Sequence, residues 1–232
     1  MTQQEGIVRG DAHQKMGSAG FIIAAVLITI GNIWVATIDL SNPVAAQARM
    51  SSQLAILDTV TLMITIGWLA MLTGAAAVRR TIMGSGAEWA TMGFYFLVAG
   101  TALWTAGMSL DISSSALISN WLSAPAGSKE AAHNLLNTLF PPGLGFGRGL
   151  FPLEILVNWL AIAFLSAGMA RSGVYPRWLS WFGLILGVIG VLAGIVMTYI
   201  GREAIFAPFT VLAFATLLWV LMCGVWVARR AW

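Results

Sequence analysis

Charge is scarce in this sequence. Asp, Glu, Lys and Arg together make up 9% of its 232 residues, where a soluble domain carries about 25%. A water-exposed surface cannot be built from so little polar material. This excludes a soluble globular domain and makes the bilayer the solvent for most of the chain. Cysteine is nearly absent: Cys223 stands alone, has no intrachain disulfide partner, and lies deep in an apolar stretch where a small buried side chain is its expected role. Histidine occurs twice, as His13 and His133, on opposite sides of the topology derived below. The two cannot meet, so a histidine-based metal site is not expected. No span holds a histidine for haem or chlorophyll, nor a lysine for a retinal Schiff base. No Gly-x-Ser-x-Gly elbow occurs. No catalytic residue, metal ligand or cofactor-binding residue is therefore assigned, and bound lipids are the one expected non-protein component.

Apolar residues are abundant, at 59%, and they fall in six stretches: roughly 17–39, 54–78, 87–110, 151–171, 178–200 and 206–228. A bilayer core needs about 20 apolar residues in helix. Lipid offers backbone groups no hydrogen-bond partner, so each stretch is predicted as a helix. Alternating apolar and polar residues, the mark of a membrane β-barrel, do not occur in them. The expectation is an all-α polytopic membrane protein, residues 1–232 forming one six-helix integral domain. The first stretch follows Arg9 and Lys15 but exceeds the roughly 7–15 apolar residues of a signal peptide, and is read as an uncleaved first span.

The signs of the charges predict orientation. Arg9, Lys15, Arg79, Arg80, Arg171, Arg177, Arg229 and Arg230 fall on one side; Arg49, Lys129, Arg148 and Arg202 fall on the other. The positive-inside rule places both termini in the cytoplasm, and a prokaryotic inner membrane is the expected location. The pI near 9.5 does not point to nucleic acid, because the net charge is only +3. Trp89, Trp178, Trp181, Trp226 and Trp232 lie near span ends, as membrane-interface belts do. Trp34, Trp68 and Trp104 lie within spans, where a stacking role needs partners that the sequence does not identify.

The one long connection is 111–150, on the outer side. It is predicted to hold two amphipathic helical pieces. Ser114–Ser123 carries Leu117, Ile118, Trp121 and Leu122. Ser128–Phe140 has Ser128 as a cap, Glu130 in its first turn, and an apolar face of Ala132, Leu135, Leu136, Leu139 and Phe140. Pro141 and Pro142 end it. Gly143, Gly145, Gly147 and Gly149 follow, without the strand and βαβ unit that a dinucleotide fingerprint requires. They read as a flexible entry into the fourth span or a close backbone contact.

Polar residues near the bilayer gather on the same outer side. Asp39 ends the first span; Asp58 begins the second; Asp111 ends the third; Glu154 and Asn158 share a face of the fourth, close to Arg148. Charge inside a span is costly and usually faces the bundle interior, paired. Three readings follow: a structural network tying helix ends together through Arg49, Arg148 or Arg202; an outward-facing vestibule or pore for a cation or polar solute; or a catalytic carboxylate pair or metal site. In the fifth span Gly183, Gly187, Gly190 and Gly194 include two Gly-x-x-x-Gly steps, which let backbones approach closely in lipid. They are helix-packing positions, within the chain or against another subunit.

The turn before that span reads Tyr175-Pro176-Arg177-Trp178-Leu179-Ser180-Trp181-Phe182-Gly183. It resembles a segment of an uncharacterised bacterial family of six-span integral membrane proteins, a domain of unknown function, in which a Pro-Arg-Trp-Leu turn precedes a glycine-rich fifth helix. The resemblance implies a six-helix bundle and supplies no catalytic residues. Taken together, the leading expectation is a non-catalytic accessory or structural subunit of a larger membrane complex, with lipids and other integral membrane subunits as partners. The alternatives are a small transporter or channel with an acidic outer vestibule and, third, a membrane enzyme using outer-side carboxylates.

Overall fold

A computed structural model describes residues 12–38, 48–139, 147–201 and 203–231. Its helices are α1 (Ala12–Val35), α2 (Leu54–Thr81), α3 (Ala87–Ser123), α4 (Lys129–Leu139), α5 (Gly147–Ser172), α6 (Arg177–Ile200) and α7 (Phe206–Ala231), with short 3-10 turns at Gly84–Gly86 and Glu203–Ile205. Six of these, all but α4, are long and apolar enough to cross a membrane. The all-α polytopic architecture expected from the sequence is the observed one, and the chain is a multi-pass membrane protein.

The spanning helices alternate in direction. Consecutive contacts run α1–α2–α3–α5–α6–α7 and back to α1, closing a ring. Arg79 and Arg80, Arg171, and Arg229 and Arg230 lie in the last turns of α2, α5 and α7, and Arg177 begins α6. This is the arginine-rich end of the bundle. Guanidinium groups there lie over aromatic faces, Arg171 over Trp89 at 4.4 Å and Arg230 over Trp226 at 5.1 Å. The Tyr175 hydroxyl shares a 2.6 Å hydrogen bond with Thr81, fastening the α5–α6 turn to the end of α2. Burial pushes the Tyr175 phenol well above its ordinary range, and the Thr81 bond only partly offsets this. Gly173 (φ 65°) makes that turn in the left-handed region, where a side chain would be strained.

Backbones approach closely because glycines sit at the contacts. In lipid, apolar area gives little drive for helix association, so close packing must supply it. Gly17 and Gly20 of α1 fit against Ala77, Thr73 and Ala70 of α2. Gly86 and Gly93 fit against Gly168, Leu165 and Ala161 of α5. Gly187 and Gly194 of α6 lie on the backbones of Ala163 and Leu156, and Gly183 and Gly190 receive Ser166, Trp219 and Trp159. The four glycines of the fifth span thus pack inside this chain, chiefly on α5. That helix is the most enclosed of the six, with 56% of its apolar window buried against 39% or less in the others.

One element differs from the sequence reading. The segment 114–123 is not a separate piece of a loop. It is the end of α3, which runs unbroken for 37 residues, about 55 Å at 1.5 Å per residue, against a bilayer core of about 30 Å. No proline or glycine interrupts residues 108–123, and the serines there bond back to their own helix: Ser113 to the Ser109 carbonyl and Ser123 to that of Ser119. These bonds satisfy the hydroxyls without breaking the helix. The short α4 folds back on this extension. His133 stacks on Trp121 at 4.5 Å, and Ile118, Ser115 and Leu136 are buried between the two helices. Ser128 does not cap α4 with its side chain; its hydroxyl donates to the Pro125 carbonyl instead.

Candidate functional site

The residues singled out from the sequence differ in burial where they are described. Asp39 lies outside the described residues, and Arg148 is in the first turn of α5 with its side chain outside them. Asp111 is exposed on α3, and Arg49 is exposed before α2. Asp58 is partly buried in the second turn of α2. It stands ten residues, about 15 Å of helix, from Trp68 at the middle of that helix. Trp68 in turn meets Trp104 of α3.

Glu154 and Asn158 are brought together, at the α3–α5 interface. Glu154 is 2% exposed and Asn158 is fully buried. Each fits a glycine slot: a Cβ at Gly107 would collide with the Glu154 carboxyl, and one at Gly100 with the Asn158 amide. The Asn158 amide donates to the Glu154 main-chain carbonyl at 2.9 Å. This geometry welds α3 to α5 through two polar side chains that exactly two missing Cβ atoms admit. His133 stacks on Trp121, which is fourteen residues or about 21 Å along α3 from Gly107. General acid–base work between His133 and Glu154 needs hydrogen-bond reach, and this spacing denies it. Among the described residues, no group of three or more His, Cys, Asp or Glu could hold a metal ion.

A different site emerges inside the ring. A cavity of about 80 Å³ lies in the half of the bundle away from the arginine-rich end. It runs from Trp68 and Met71 near the middle of α2 to Val35, Ala36 and Thr210 at the neighbouring ends of α1 and α7. One wall is a chain of aromatic rings from four helices. Trp68 meets Trp104 at 5.1 Å, Trp104 meets Phe151 at 6.1 Å, Phe151 meets Phe209 at 5.9 Å, and Phe209 meets Trp159 at 5.4 Å. Aliphatic side chains from α1 and α7, Ile28, Leu217 and Val220, complete the lining. Asn32, Thr210 and Thr216 are the polar residues beside it, and among the described residues no charged side chain lines it.

The three indoles differ in their hydrogen bonding. Trp159 donates to the Thr216 hydroxyl at 3.2 Å, and that hydroxyl donates in turn to the Leu212 carbonyl at 2.8 Å. Trp68 and Trp104 are equally buried, at 5% and 9% exposed, yet their Nε1 atoms find no acceptor among the described residues. Indole N–H groups usually find a partner when buried; Trp226, toward the arginine-rich end, shares this lack. Sequence reasoning missed this site. The available signal was that Trp68 and Trp104 lie within spans, away from the interfaces where membrane tryptophans concentrate. Which faces they share depends on how α2, α3, α5 and α7 close the ring.

Comparison with protein-family models, curated proteins and solved structures finds no match to this chain.

Proposed function

We propose that this chain binds a small uncharged solute inside the membrane, as a member of the small-transporter class, with the aromatic cavity as its binding site. The observation that supports this is the cavity itself: enclosed by five spanning helices, lined by three tryptophans and three phenylalanines, and extending to the helix ends on one side of the bilayer. Ligand pockets are characteristically apolar and aromatic with a few placed polar groups, and between bundle helices is one of their usual locations. Among the described residues no carboxylate lines it, and Glu154 faces Gly107 of α3. The solute is therefore neutral rather than a cation.

Isobutene, added to the purified protein in nanodiscs, tests this reading. Methyl resonances of Ile28, Leu217 and Val220 are expected to shift saturably, and Ala213→Phe, which fills the cavity, is expected to abolish the effect. Shifts that rise linearly with probe concentration, identically in both proteins, would show only partition into lipid and would refute a binding site. The excess of arginine at one end supports an orientation with both termini in the cytoplasm of a prokaryotic cell, in the inner membrane. Reporter fusions at either terminus that fluoresce only when exported would overturn it.

A second reading, the accessory subunit, draws on the hairpin of α3 and α4. Ile112 and Leu122 of the long α3 and Leu135 of α4 are 40%, 44% and 51% exposed there. A partner subunit would cover them. Native purification yielding a monodisperse lone 24.7 kDa chain would sink that reading and leave the first intact.

A further inference from the structure

The arginine-rich end of the bundle carries a second site, independent of the cavity. We infer that the exposed face of α3 in its first turns binds an anionic phospholipid, whose phosphodiester sits between the guanidinium groups of Arg79 and Arg171. In the ring α3 stands between α2 and α5, and each neighbour lends it one arginine. From α5, Arg171 lies over the Trp89 ring at 4.4 Å. From α2, the Arg79 Nε–H donates to the Thr91 hydroxyl at 3.1 Å, with its guanidinium 5.7 Å from the Phe94 ring and 6.0 Å from that of Tyr95. Glu88, Met92 and Tyr95, at helical spacing, form the exposed strip between the two cations.

Three observations support an anionic lipid there. First, the two cations are held in place but not neutralised. Aromatic rings and the Thr91 hydroxyl carry no net charge, and among the described residues neither arginine pairs with a carboxylate. Each guanidinium keeps donors in the fork geometry that suits a phosphate. Second, the depth is that of a headgroup. Thr91 is four residues, about 6 Å, inside the start of α3, and Trp89 and Tyr95 are rings of the kind that line a membrane interface. A charge fixed at the edge of the hydrocarbon is costly, and an anionic partner offsets that cost. Third, the surface leading inward is apolar and open. Trp89, Met92 and Tyr95 are 38%, 46% and 59% exposed, and Trp89 stacks on Phe164, which meets Phe96, at 5.4 Å each. Acyl chains cover such a strip; a free phosphate leaves it bare. Glu88 is the one carboxylate on turns 79–91 and 168–178, against four arginines. The local field therefore favours an anion over a headgroup that brings its own ammonium.

The test is native mass spectrometry of the full chain in detergent, titrated with phosphatidylglycerol, phosphatidylcholine and phosphatidylethanolamine of identical acyl chains. Phosphatidylglycerol is expected to bind about 25-fold more tightly than phosphatidylcholine, roughly five-fold for each arginine beside the headgroup. Arg79→Gln and Arg171→Gln should each lower that preference about five-fold, and Glu88→Gln should raise it. Arg229→Gln, at the far end of α7, should leave it unchanged, because α7 adjoins α6 and α1 in the ring. All four side chains are exposed, so these variants keep the fold. Equal losses from the three arginine variants would show a diffuse basic field and overturn the site. A preference for phosphatidylethanolamine, its ammonium on Glu88, would overturn the anionic headgroup. Displacement of bound phosphatidylglycerol by excess inorganic phosphate would assign the arginines to a free anion and overturn the lipid.

Discussion

The two sides of α5 solve the same problem differently. Toward α3 and α6 it is packed backbone to backbone, through Gly93 and the preceding Gly86 on one side and Gly187 and Gly194 on the other. Even Glu154 and Asn158 are accommodated there, because a missing Cβ opposite each leaves room for a polar group. Toward the ring centre the same helix offers Phe151 and Trp159, and large rings on α2, α3 and α7 meet them around a void. Small residues let helices close to contact and hold the bundle in lipid. Large rigid rings cannot fill a round interior completely. One side of α5 therefore gives cohesion, and the other gives a chamber.

The sharpest way to break this contrast is to add bulk on each side. Gly187→Leu drives a side chain into the backbone of Ala163 and should cost about 3 kcal/mol or more, measured by unfolding in mixed micelles. Ala213→Leu adds its bulk at the cavity and should change stability by less than about 1.5 kcal/mol. Equal losses in the two variants would erase the distinction between the faces. The Glu154 slot comes next. Gly107→Ala should cost about 1–3 kcal/mol, and combining it with Glu154→Ala should recover much of that loss, a coupling a double-mutant cycle reads directly. Additive losses would mean that the slot does not exist for Glu154.

Two smaller effects sharpen the picture. Thr216→Val removes the acceptor from Trp159 and should cost about 1–2 kcal/mol through an orphaned donor. The same substitution would be silent if buried indoles in this bundle were indifferent to partners. Tyr175→Phe removes the bond to Thr81 and should cost about 1 kcal/mol or less near neutral pH. It also carries a pH signature. Burial holds the Tyr175 phenol above its ordinary range, so above about pH 10 the unfolded chain loses this proton while the folded chain keeps it. Wild-type stability should then fall with rising pH, and Tyr175→Phe should lack that part of the fall.

Much of the fold was legible from residue types alone. Six apolar runs and a skewed arginine distribution specify helices and a bilayer, because backbone groups in lipid have no other way to be satisfied. The glycine spacing of 183, 187, 190 and 194 was visible too, though not its target. The continuity of α3 through Ser123 was not. The apolar run stops at Asp111, and serine bonds to carbonyls three or four residues back carry the helix through the polar stretch beyond it. The carboxylates attracted attention because charge in a span is rare. Their rarity said nothing about which helix faces which, nor that Asp58 would be partly buried, Asp111 exposed and Glu154 enclosed.

The sequence by itself determined the solvent, the helices and their lengths, since these follow from local composition and from hydrogen bonds made within each segment. The tertiary structure alone decided that Trp68, Trp104, Phe151, Trp159 and Phe209 converge and leave space between them. That outcome depends on the rotation and closure of helices distant in sequence. A residue's own chemistry does not encode what stands opposite it.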